Sequence, residues 1–582
     1  MNPGRKPPRF PLSDAEPHPL ETVALWLVGA LIAAGAALWL TGELSGRLFG
    51  GTWPGTPPAE IGGVLVRFRD HAGEPASAWP KPERELLPGA IAFYGTLGGA
   101  LIPLVGAGVF AYRRRARGSH ESGGSARWAK RRDLQLLRVR EPLPGRLTIG
   151  RVDGRLVAAE PRQSVIIVGP VQTGKTSGFA VPAILEWQGP VVATSVKTDL
   201  LRETLIARSA LCGSMVWVYD PTGGTGIPSA GWTPLAGCAT WEGAQRIADW
   251  LVSGGRRGSS GVDNADFWYA AAAKLLAPLL FAATHWGGTM ADVIRWVDRR
   301  ETEEVEMGLA MGGEPAADDA FEASKGRDER TRSSIYTTVE TVLGAFADPG
   351  VLTSALTPEL RAERLLDGGF HTAYICAPAH EQRRLQPLFA TLVQEIVACA
   401  YDQATASGRP LDPPLLLVLD ECANIAPLRD LATLASTGAG QGIQLVSIFQ
   451  DMAQINAVYG RDRAPTIVSN HRAKVILSGI ADAQTLDYVG RLLGDEEVSQ
   501  LSSTSGAEGR RSTTQSVALR SLAPANVLRE MRPGRGLLVY GHLAPARVEL
   551  RPWFRDRRLR RLAAGVTSKA SSKTSPSCRR SD

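Results

Sequence analysis

The sequence is poor in cysteine. Its 582 residues include six cysteines, and none of them belongs to a Cys-x-x-Cys pair or lies near a histidine at metal-ligand spacing. This scarcity argues against a disulfide framework and against a zinc site as the basis of the fold. We therefore interpret the cysteines as small buried thiols of a protein that works in a reducing compartment.

The chain also lacks a strong excess of charge of either sign. It has 65 Lys and Arg against 58 Asp and Glu, which gives a formal net charge of +7. This mild excess permits an anionic partner but does not identify one. Basic residues interleaved with aromatic ones, which would indicate direct binding of single-stranded nucleic acid, are missing as well. The function must therefore be read from local motifs.

Charged residues are absent from two stretches near the N-terminus. Residues 22–42 would span about 30 Å as a helix, the thickness of a hydrocarbon core, and residues 86–112 form the second stretch. A cleaved signal peptide is the alternative for the first, but its apolar run exceeds the about 7 to 15 residues of such a signal. Basic residues before the first stretch and after the second place both ends in the cytoplasm. We predict a multi-pass protein of the cell (inner, cytoplasmic) membrane, with an outside loop over about 43–85.

Gly169 begins a phosphate-binding loop. The sequence Gly169-Pro-Val-Gln-Thr-Gly-Lys-Thr176 matches the pattern G-x-x-x-x-G-K-[ST] in full. The apolar, β-branched run 164–168 before it predicts a buried strand, and residues 177–186 after it are compatible with a helix. A chance match is the alternative, and this strand-and-helix context disfavours it.

Each part of this loop has a physical task. Gly169 and Gly174 let the backbone curl so that N–H groups face phosphate oxygens. Lys175 brings a positive charge to the β- and γ-phosphates, and Thr176 offers a hydroxyl to Mg²⁺. We therefore predict ATP and Mg²⁺ as cofactors. The predicted nucleotide-binding residues are Gly169, Gln172, Thr173, Gly174, Lys175, Thr176 and Ser177.

Two carboxylates, Asp420 and Glu421, follow the apolar run Leu415–Leu419. The run predicts a buried strand, and an open α/β sheet binds its ligand at the carboxyl ends of its strands. We predict that Asp420 holds Mg²⁺ together with Thr176 and that Glu421 polarises the attacking water as general base. An exposed turn with two acids is the alternative, which five preceding apolar residues disfavour.

A third strand is predicted over Ile443–Ile448, shortly before Gln450. An amide at this position would sense the γ-phosphate or orient water. Gln450 is therefore a candidate catalytic residue beside Glu421 and Lys175. An ordinary residue at the end of a strand is an equally supported interpretation.

The order of these motifs resembles the VirD4/TraG-type coupling proteins of conjugation and type IV secretion. The resemblance covers about residues 23–554, and its most specific element is Asp-Glu-x-x-Asn directly after a strand. Single landmarks are weakly specific, whereas their order is highly specific. The landmarks lie at residues 124–129, 169–176, 195–199, 216–221, 232–235, 267–268, 374–378, 419–424, 442–443, 450 and 469–470.

The resemblance implies an α/β fold, in which a RecA-like P-loop ATPase domain carries an inserted all-α domain and follows two transmembrane helices. It also implies a homo-hexameric ring that receives single-stranded DNA with its relaxase and passes it to the channel components of a type IV secretion system. A helical pattern over about 240–348, with apolar residues repeating every 3.6 positions, supports the insertion. The predicted domains are 1–117 (membrane anchor), 118–239 (nucleotide-binding domain, first part), 240–348 (all-α domain), 349–562 (nucleotide-binding domain, second part) and 563–582 (disordered tail).

The sequence departs from that family at the turn 437–441, where a basic residue often reaches a neighbour's ATP and none is present here. An arginine acting in trans is therefore unassigned, with Arg162, Arg429 and Arg472 as candidates. Two other functions stay open: a receptor ATPase that recruits protein effectors without DNA, and an FtsK-like pump for duplex DNA. The second would be favoured by a C-terminal winged helix, and no such pattern is visible.

Two further segments carry expectations of their own. The acidic segment 301–329 is interpreted as a solvated helix face, with a docking surface for a basic partner as the alternative. The stretch 501–516, rich in Ser, Thr and Gly, is expected to be a mobile loop.

Overall fold

The structure, a computed structural model, describes residues 19–100, 102, 125–255, 265–505 and 511–566. The chain divides into two compact units, residues 1–124 and residues 125–582. The predicted tail 563–582 lies outside the described residues from position 567 onward.

The smaller unit is helical. Its helices are α1 (Pro19–Phe49), α2 (Ile61–Asp70) and α3 (Ala90–Ala100). Trp79 and Phe93 pack edge to face at 5.5 Å between ring centroids in a small core with Val64. The carboxylate of Glu43 accepts hydrogen bonds from the backbone of the loop that follows α1.

The two predicted transmembrane helices stay a prediction. The stretch 22–42 lies within α1, whereas most of residues 101–112 of the second stretch lie outside the described residues. Among the described residues, one helix is long and apolar enough to cross a bilayer, and it is Asp266–Trp286 of the larger unit. Because 61% of its apolar window is buried inside the protein, that helix belongs to the core.

The larger unit is built on an eleven-stranded sheet with the strand order β2-β1-β13-β12-β9-β3-β8-β7-β4-β6-β5. A separate hairpin is formed by β10 and β11. The strands are β1 (Thr148–Val152), β2 (Arg155–Ala158), β3 (Val165–Val168), β4 (Val191–Ser195), β5 (Val216–Tyr219), β6 (Thr372–Cys376), β7 (Leu415–Leu419), β8 (Ile443–Phe449), β9 (Ala473–Leu477), β10 (Asp495–Ser505), β11 (Arg511–Ser521), β12 (Arg535–Tyr540) and β13 (Ala546–Glu549).

Helices cover both faces of this sheet, since its central strands are buried along their whole length. The helices are α4 (Val181–Glu186), α5 (Asp199–Ser209), α6 (Trp241–Gly255), α7 (Ala265–Trp286), α8 (Met290–Arg299), α9 (Glu303–Gly312), α10 (Pro315–Lys325), α11 (Glu329–Leu343), α12 (Pro349–Ser354), α13 (Ala362–Leu365), α14 (Gln382–Ser407), α15 (Cys422–Ile425), α16 (Leu431–Gln441), α17 (Met452–Tyr459), α18 (Ala464–Asn470), α19 (Ala483–Leu493), α20 (Ala525–Glu530) and α21 (Arg557–Ala563).

The central strands β9, β3, β8, β7, β4, β6 and β5 run parallel, so their carboxyl ends meet at one edge of the sheet. Val, Ile and Leu dominate these strands, as expected for a sheet that is covered on both faces. The strands predicted over 164–168, 415–419 and 443–448 are confirmed as β3, β7 and β8. This topology brings the ends of the three strands together although they are far apart in sequence.

A helical portion stands between β5 and β6, and its described residues form no strand. Helix α7 lies at its centre and packs against α6, α9, α10 and α11. Ala271, Leu275, Leu276 and Leu279, which carry the predicted period, are buried, whereas Phe267 is half exposed. The domain boundaries at 239/240 and 348/349 stay predictions.

Several carboxylates of the acidic segment 301–329 form ion pairs with basic residues of the same helical portion. Arg295 forms ion pairs with Glu301 at 2.6 Å and with Glu304 at 2.5 Å. Lys325 forms an ion pair with Glu306 at 2.7 Å, and Glu329 forms ion pairs with Arg300 and Arg332. These contacts favour the interpretation as a solvated helix face, because several of the carboxylates already have partners.

The prediction of a mobile loop over 501–516 is wrong for the residues that the structure describes. They belong to a hairpin in which β10 and β11 pair in register from Asp495↔Ser521 to Ser505↔Arg511. Cross-strand hydrogen bonds give this Ser- and Thr-rich segment a regular structure that its composition did not indicate. An ion pair between Arg520 and Glu496 fixes the base of the hairpin at 2.5 Å.

Candidate nucleotide-binding site

The phosphate loop leaves the sheet at the carboxyl end of β3. Gln172 and Gly174 have φ angles of +66° and +89°, so the backbone turns sharply as the motif requires. Gly169 lies so close to β9 that a Cβ would stand 2.8 Å from Cβ of Leu477. Thr173 closes the turn by donating its hydroxyl to the carbonyl of Pro170 at 2.9 Å. The loop is therefore held in the conformation that a phosphate cradle needs.

Lys175 points back into its own loop. Its Nζ donates to the carbonyl oxygens of Gly169 at 2.6 Å and Pro170 at 2.7 Å. Burial lowers the pKa of this ammonium, whereas the nearby carboxylates of Asp420 and Glu421 oppose that shift. A charged donor held by neutral carbonyls in a buried position is well placed to turn towards phosphate oxygens.

The predicted metal ligands lie side by side. The hydroxyl of Thr176 donates to Oδ2 of Asp420 at 2.9 Å, which joins the phosphate loop to the end of β7 across the intervening β8. On the other side, Thr194 of β4 donates to the backbone carbonyl of Asp420 at 3.2 Å. A hydroxyl and a carboxylate are hard oxygen donors, and Mg²⁺ commonly takes few protein ligands and completes its shell with phosphates and water. The two residues therefore fit Mg²⁺.

Glu421 occupies the turn that follows β7. Its φ of 53° places it in the left-handed region, from which helix α15 starts. The side-chain amide of Asn424 donates to Oε2 of Glu421 at 3.0 Å and orients the carboxylate. The Asn of the Asp-Glu-x-x-Asn pattern thus acts through Glu421, which leaves the other carboxylate oxygen available to a water.

Strand β8 places Gln450 beside the phosphate loop. Phe449 is the register partner of Val168, and its carbonyl accepts a hydrogen bond from Gly169 at 3.1 Å. The backbone N–H of Gln450 donates to the side chain of Gln454 at 2.9 Å. Because β8 lies between β3 and β7, the three strand ends meet at one crevice. The catalytic role of Gln450 itself stays a prediction.

A buried charge network behind the phosphate loop was missed from the sequence. Arg551 is 5% exposed and forms ion pairs with Glu186, at the end of α4, and with Asp556, at 2.9 and 3.0 Å. Its backbone N–H also donates to the carbonyl of Gly178. Arg551 stands in a run of exposed arginines, so no sequence signal distinguishes it. The network ties the C-terminal part of the unit to the helix that follows the loop.

The three candidate arginines take different places. Arg162 and Arg472 lie just before β3 and β9, at the sheet edge opposite to the phosphate loop. Arg472 pairs with Glu160 at 3.0 Å and stacks over Tyr540, whereas Arg429 forms a long pair with Asp249 at 3.7 Å.

The predicted turn 437–441 is not a turn. It forms the last part of α16, which ends before Gly442, a residue with φ of 85°. The change of direction thus comes one residue later than the sequence indicated, where only glycine adopts the left-handed backbone without strain.

Asp420 should make binding of the Mg²⁺–nucleotide complex pH-dependent. The pKa of this carboxyl is raised to about 6, mainly by burial. The Thr176 hydroxyl and the Lys175 ammonium act against this rise, whereas the neighbouring Glu421 adds to it. Since the raised pKa favours the protonated form at low pH, affinity should rise by up to about tenfold per pH unit between pH 5 and 6 and level off above pH 7. Titrating the affinity in the presence of Mg²⁺ from pH 5 to 8 measures this.

The nucleotide phosphates titrate in the same range, so Asp420→Asn is the necessary reference. We expect the variant to bind more weakly at pH 7.5 and to follow the titration of the nucleotide alone. Identical pH profiles for the two proteins would exclude Asp420 as the titrating ligand.

Comparison with known proteins identifies relatives of this chain. A family model described as "Type IV secretory system Conjugative DNA transfer" matches residues 118–577. The conjugal transfer protein TraG of Agrobacterium fabrum (strain C58) is 26% identical over 400 residues, covering 66% of this chain and 59% of that protein. The protein VirD4 of the same organism is 24% identical over 476 residues, covering 76% of this chain and 68% of VirD4. The chain thus matches less than two thirds of the length of TraG.

Solved structures show the same fold. The bacterial conjugative coupling protein TrwBdeltaN70 in its unbound form has a TM-score of 0.56 at 18% identity and covers 74% of this chain and 95% of that one. TrwB in complex with ADP and Mg²⁺ has a TM-score of 0.55 at 18% identity, covering 74% and 94%. The predicted α/β, RecA-like fold with an all-α part is thereby confirmed.

Proposed function

Because this chain belongs to the family of type IV secretory system proteins for conjugative DNA transfer, we propose that it is a membrane-anchored ATPase that drives single-stranded DNA into a secretion channel. The observation that carries the ATPase assignment is the hydrogen bond of 2.9 Å between Thr176 and Asp420. This bond joins the phosphate loop to the carboxylate that follows β7, the two motifs with which a P-loop enzyme binds a nucleotide and its Mg²⁺. The two residues are 244 positions apart in sequence.

The residues of the site divide the work of hydrolysis. The backbone N–H groups of the phosphate loop and Lys175 bind the phosphates and stabilise the negative charge that develops on the phosphate oxygens in the transition state. Thr176 and Asp420 hold Mg²⁺, which neutralises charge on the phosphate oxygens when it is bound. Glu421 accepts a proton from the attacking water, and Asn424 keeps its carboxylate oriented. Gln450 contacts the γ-phosphate from the neighbouring strand end.

The cofactor assignment has support from the structural relatives. TrwB has been solved in complex with ADP and Mg²⁺ and with a non-hydrolysable ATP analogue. The phosphate loop, the Lys175 ammonium and the Thr176–Asp420 pair supply the same chemical groups that such a complex requires. ATP and Mg²⁺ are therefore the cofactors that we propose for this chain.

The family supports a proposal for the substrate and the assembly. The family model is described as conjugative DNA transfer and the TraG relatives are named conjugal transfer proteins, which supports single-stranded DNA with its relaxase as the cargo. We propose a homo-hexamer that contacts components of the secretion channel and is anchored in the cell membrane through residues 1–117. Residues 118–239 and 349–562 then form the nucleotide-binding domain around the all-α domain 240–348.

Single-stranded DNA should stimulate the ATPase activity of this protein. A DNA strand that contacts several subunits promotes assembly of a ring, in which each ATP lies between neighbours. Because such contacts are made to phosphates, the stimulation should fall steeply between low and moderate salt. The measurement is the rate of phosphate release with and without single-stranded DNA at two salt concentrations, beside the Lys175→Ala variant as the inactive control.

The same experiment separates the alternative functions. A nucleotide-binding protein that neither binds DNA nor responds to it would favour the receptor for protein effectors. A response to duplex but not to single-stranded DNA would favour a duplex pump.

A further inference from the structure

The positive charge of this chain is concentrated in two segments. Residues 125–158 contain nine Lys or Arg and three Asp or Glu, and residues 525–563 contain ten Arg and three Asp or Glu. Their formal charges are +6 and +7, so the remainder of a chain with net charge +7 carries −6. The two segments meet in the sheet, because β1 pairs with β2 on one side and with β13 on the other. The fold thus brings together basic residues from two distant segments.

Two cavities of about 610 and 600 Å³ lie where these segments meet. They adjoin at the β1–β2 turn, since Arg151 and Gly154 line both. Together they are called the arginine groove. Among the described residues, nine arginines and five Asp or Glu line the groove, and no lysine does. A guanidinium binds phosphate oxygens in a bidentate manner that an ammonium cannot reproduce.

Many of these guanidinium groups are available to a ligand. Arg140, Arg155 and Arg532 are exposed. Other arginines form only long ion pairs, such as Arg151 with Asp556 at 3.7 Å and Arg535 with Glu549 at 4.0 Å, which are too long for hydrogen bonds.

Arg138 provides a second observation that points to an anionic ligand. Its Nε and Nη2 are buried and have no hydrogen-bond partner among the described residues. Since a buried donor without an acceptor is costly, the groove offers donors that an anion would satisfy.

The arginine groove lies at the same edge of the sheet as the phosphate loop. Strand β12 runs antiparallel to β9, so its first residue, Arg535, stands where β9 and β3 end. Arg151 and Glu549 are register partners beside it. The chain then continues to Arg551, which hydrogen-bonds to Gly178 after the phosphate loop. A ligand in the groove would therefore contact elements that are connected directly to the nucleotide site.

We propose that the arginine groove binds the phosphate backbone of a nucleic-acid strand. The inference rests on the proposed function and assigns a surface to its cargo. Two adjoining concave cavities fit an elongated polyanion, whereas a flat lipid surface would contact protruding side chains and leave the walls of the cavities without partners. Among the described residues, the lining of the groove has guanidinium groups but no Asn or Gln side chain that could read a base edge. Contacts to the phosphate backbone carry no sequence information, so binding should be independent of sequence.

The test removes charge from the groove without touching the nucleotide site. The triple variant Arg140→Gln, Arg155→Gln, Arg532→Gln is compared with the full-length protein in neutral detergent. The matched control is Arg330→Gln, Arg361→Gln, Arg409→Gln, which removes three exposed arginines elsewhere. Affinity for a fluorescent single-stranded oligonucleotide is measured from 0.05 to 0.5 M salt, together with basal ATPase activity.

We expect the groove variant alone to lose affinity, with unchanged basal ATPase activity. Removing three phosphate contacts should reduce the slope of log K against log salt by about 2, since a single strand contributes about 0.7 per contact. At 0.15 M salt this corresponds to a loss of roughly tenfold to fiftyfold in affinity.

Equal affinities of the groove variant and its control would overturn the groove while leaving DNA transfer intact. A wild-type protein without DNA affinity would overturn both the groove assignment and the proposed cargo. A parallel measurement with vesicles that contain phosphatidylserine decides the remaining case. If the groove variant loses vesicle binding but keeps DNA binding, the groove contacts lipid headgroups and the proposal is wrong.

Discussion

Replacing Glu421 by glutamine should lower the rate of ATP hydrolysis by about 10²- to 10⁴-fold, the usual contribution of general acid–base catalysis. The amide cannot accept the proton of the attacking water, although it has almost the same shape as the carboxylate. Its oxygen can still accept the hydrogen bond that Asn424 donates at 3.0 Å, so the turn after β7 should keep its conformation. Phosphate release in the steady state measures the loss.

Nucleotide affinity distinguishes loss of the base from loss of the site. The Glu421 carboxylate accepts a hydrogen bond from Asn424, whereas the phosphate loop and the Thr176–Asp420 pair supply the proposed ligands of the nucleotide and Mg²⁺, so Glu421→Gln should bind ATP with about wild-type affinity. Glu340→Gln, which changes an exposed carboxylate on α11, is the matched control and should hydrolyse ATP normally. A Glu421→Gln protein with the wild-type rate would show that another group is the base.

Replacing Lys175 by alanine should weaken ATP binding by roughly 10- to 150-fold, which corresponds to the about 1.5–3 kcal/mol of a charge-assisted hydrogen bond. The ammonium now rests on the carbonyl oxygens of Gly169 and Pro170, and it must turn to the phosphates when a nucleotide binds. Without it, the negative charge of the γ-phosphate has no neutralising side chain at the loop. Titration calorimetry or a fluorescent nucleotide measures the affinity.

Thermal unfolding provides an independent check on this variant. Burial lowers the pKa of Lys175, so its charged form is less favoured in the nucleotide-free site than in water. The nucleotide-free Lys175→Ala protein should therefore be about as stable as the wild type, but it should gain less stability from ATP. Lys274→Ala on the exposed side of α7 should keep the full gain. If Lys175→Ala unfolded without nucleotide at a much lower temperature, weak binding would reflect damage to the fold.

The sequence alone predicted both halves of the candidate nucleotide site. The phosphate loop is a local motif, since its glycines, Lys175 and Thr176 act within eight consecutive positions. The strand before it is recognisable because Val and Ile fill four consecutive buried positions. The same holds for Leu415–Leu419 before Asp420, which the structure shows as a fully buried strand. Uninterrupted apolar runs that end in polar residues are a local signal of a covered parallel sheet.

Local patterns were less informative where pairing partners are polar or distant. The Ser- and Thr-rich residues around 501–516 suggested a loop, but they pair with each other across β10 and β11, and composition does not reveal such pairing. The end of α16 was read as a turn from its glycines, because nothing local shows that α16 continues to Gln441.

What the sequence by itself determined is the set of candidate reacting groups: the phosphate loop, the proposed Mg²⁺ ligands Thr176 and Asp420, and the proposed base Glu421. Only the tertiary structure decided how these groups meet. The strand order places β8 between β3 and β7, which brings Gln450 into the crevice and leaves Thr176 within 2.9 Å of Asp420. The structure alone also buried Arg551 against Glu186 and gathered two basic segments into the arginine groove. The physical reason is that a motif acts over a few bonds of the chain, whereas burial and charge depend on which distant strands pair in the sheet.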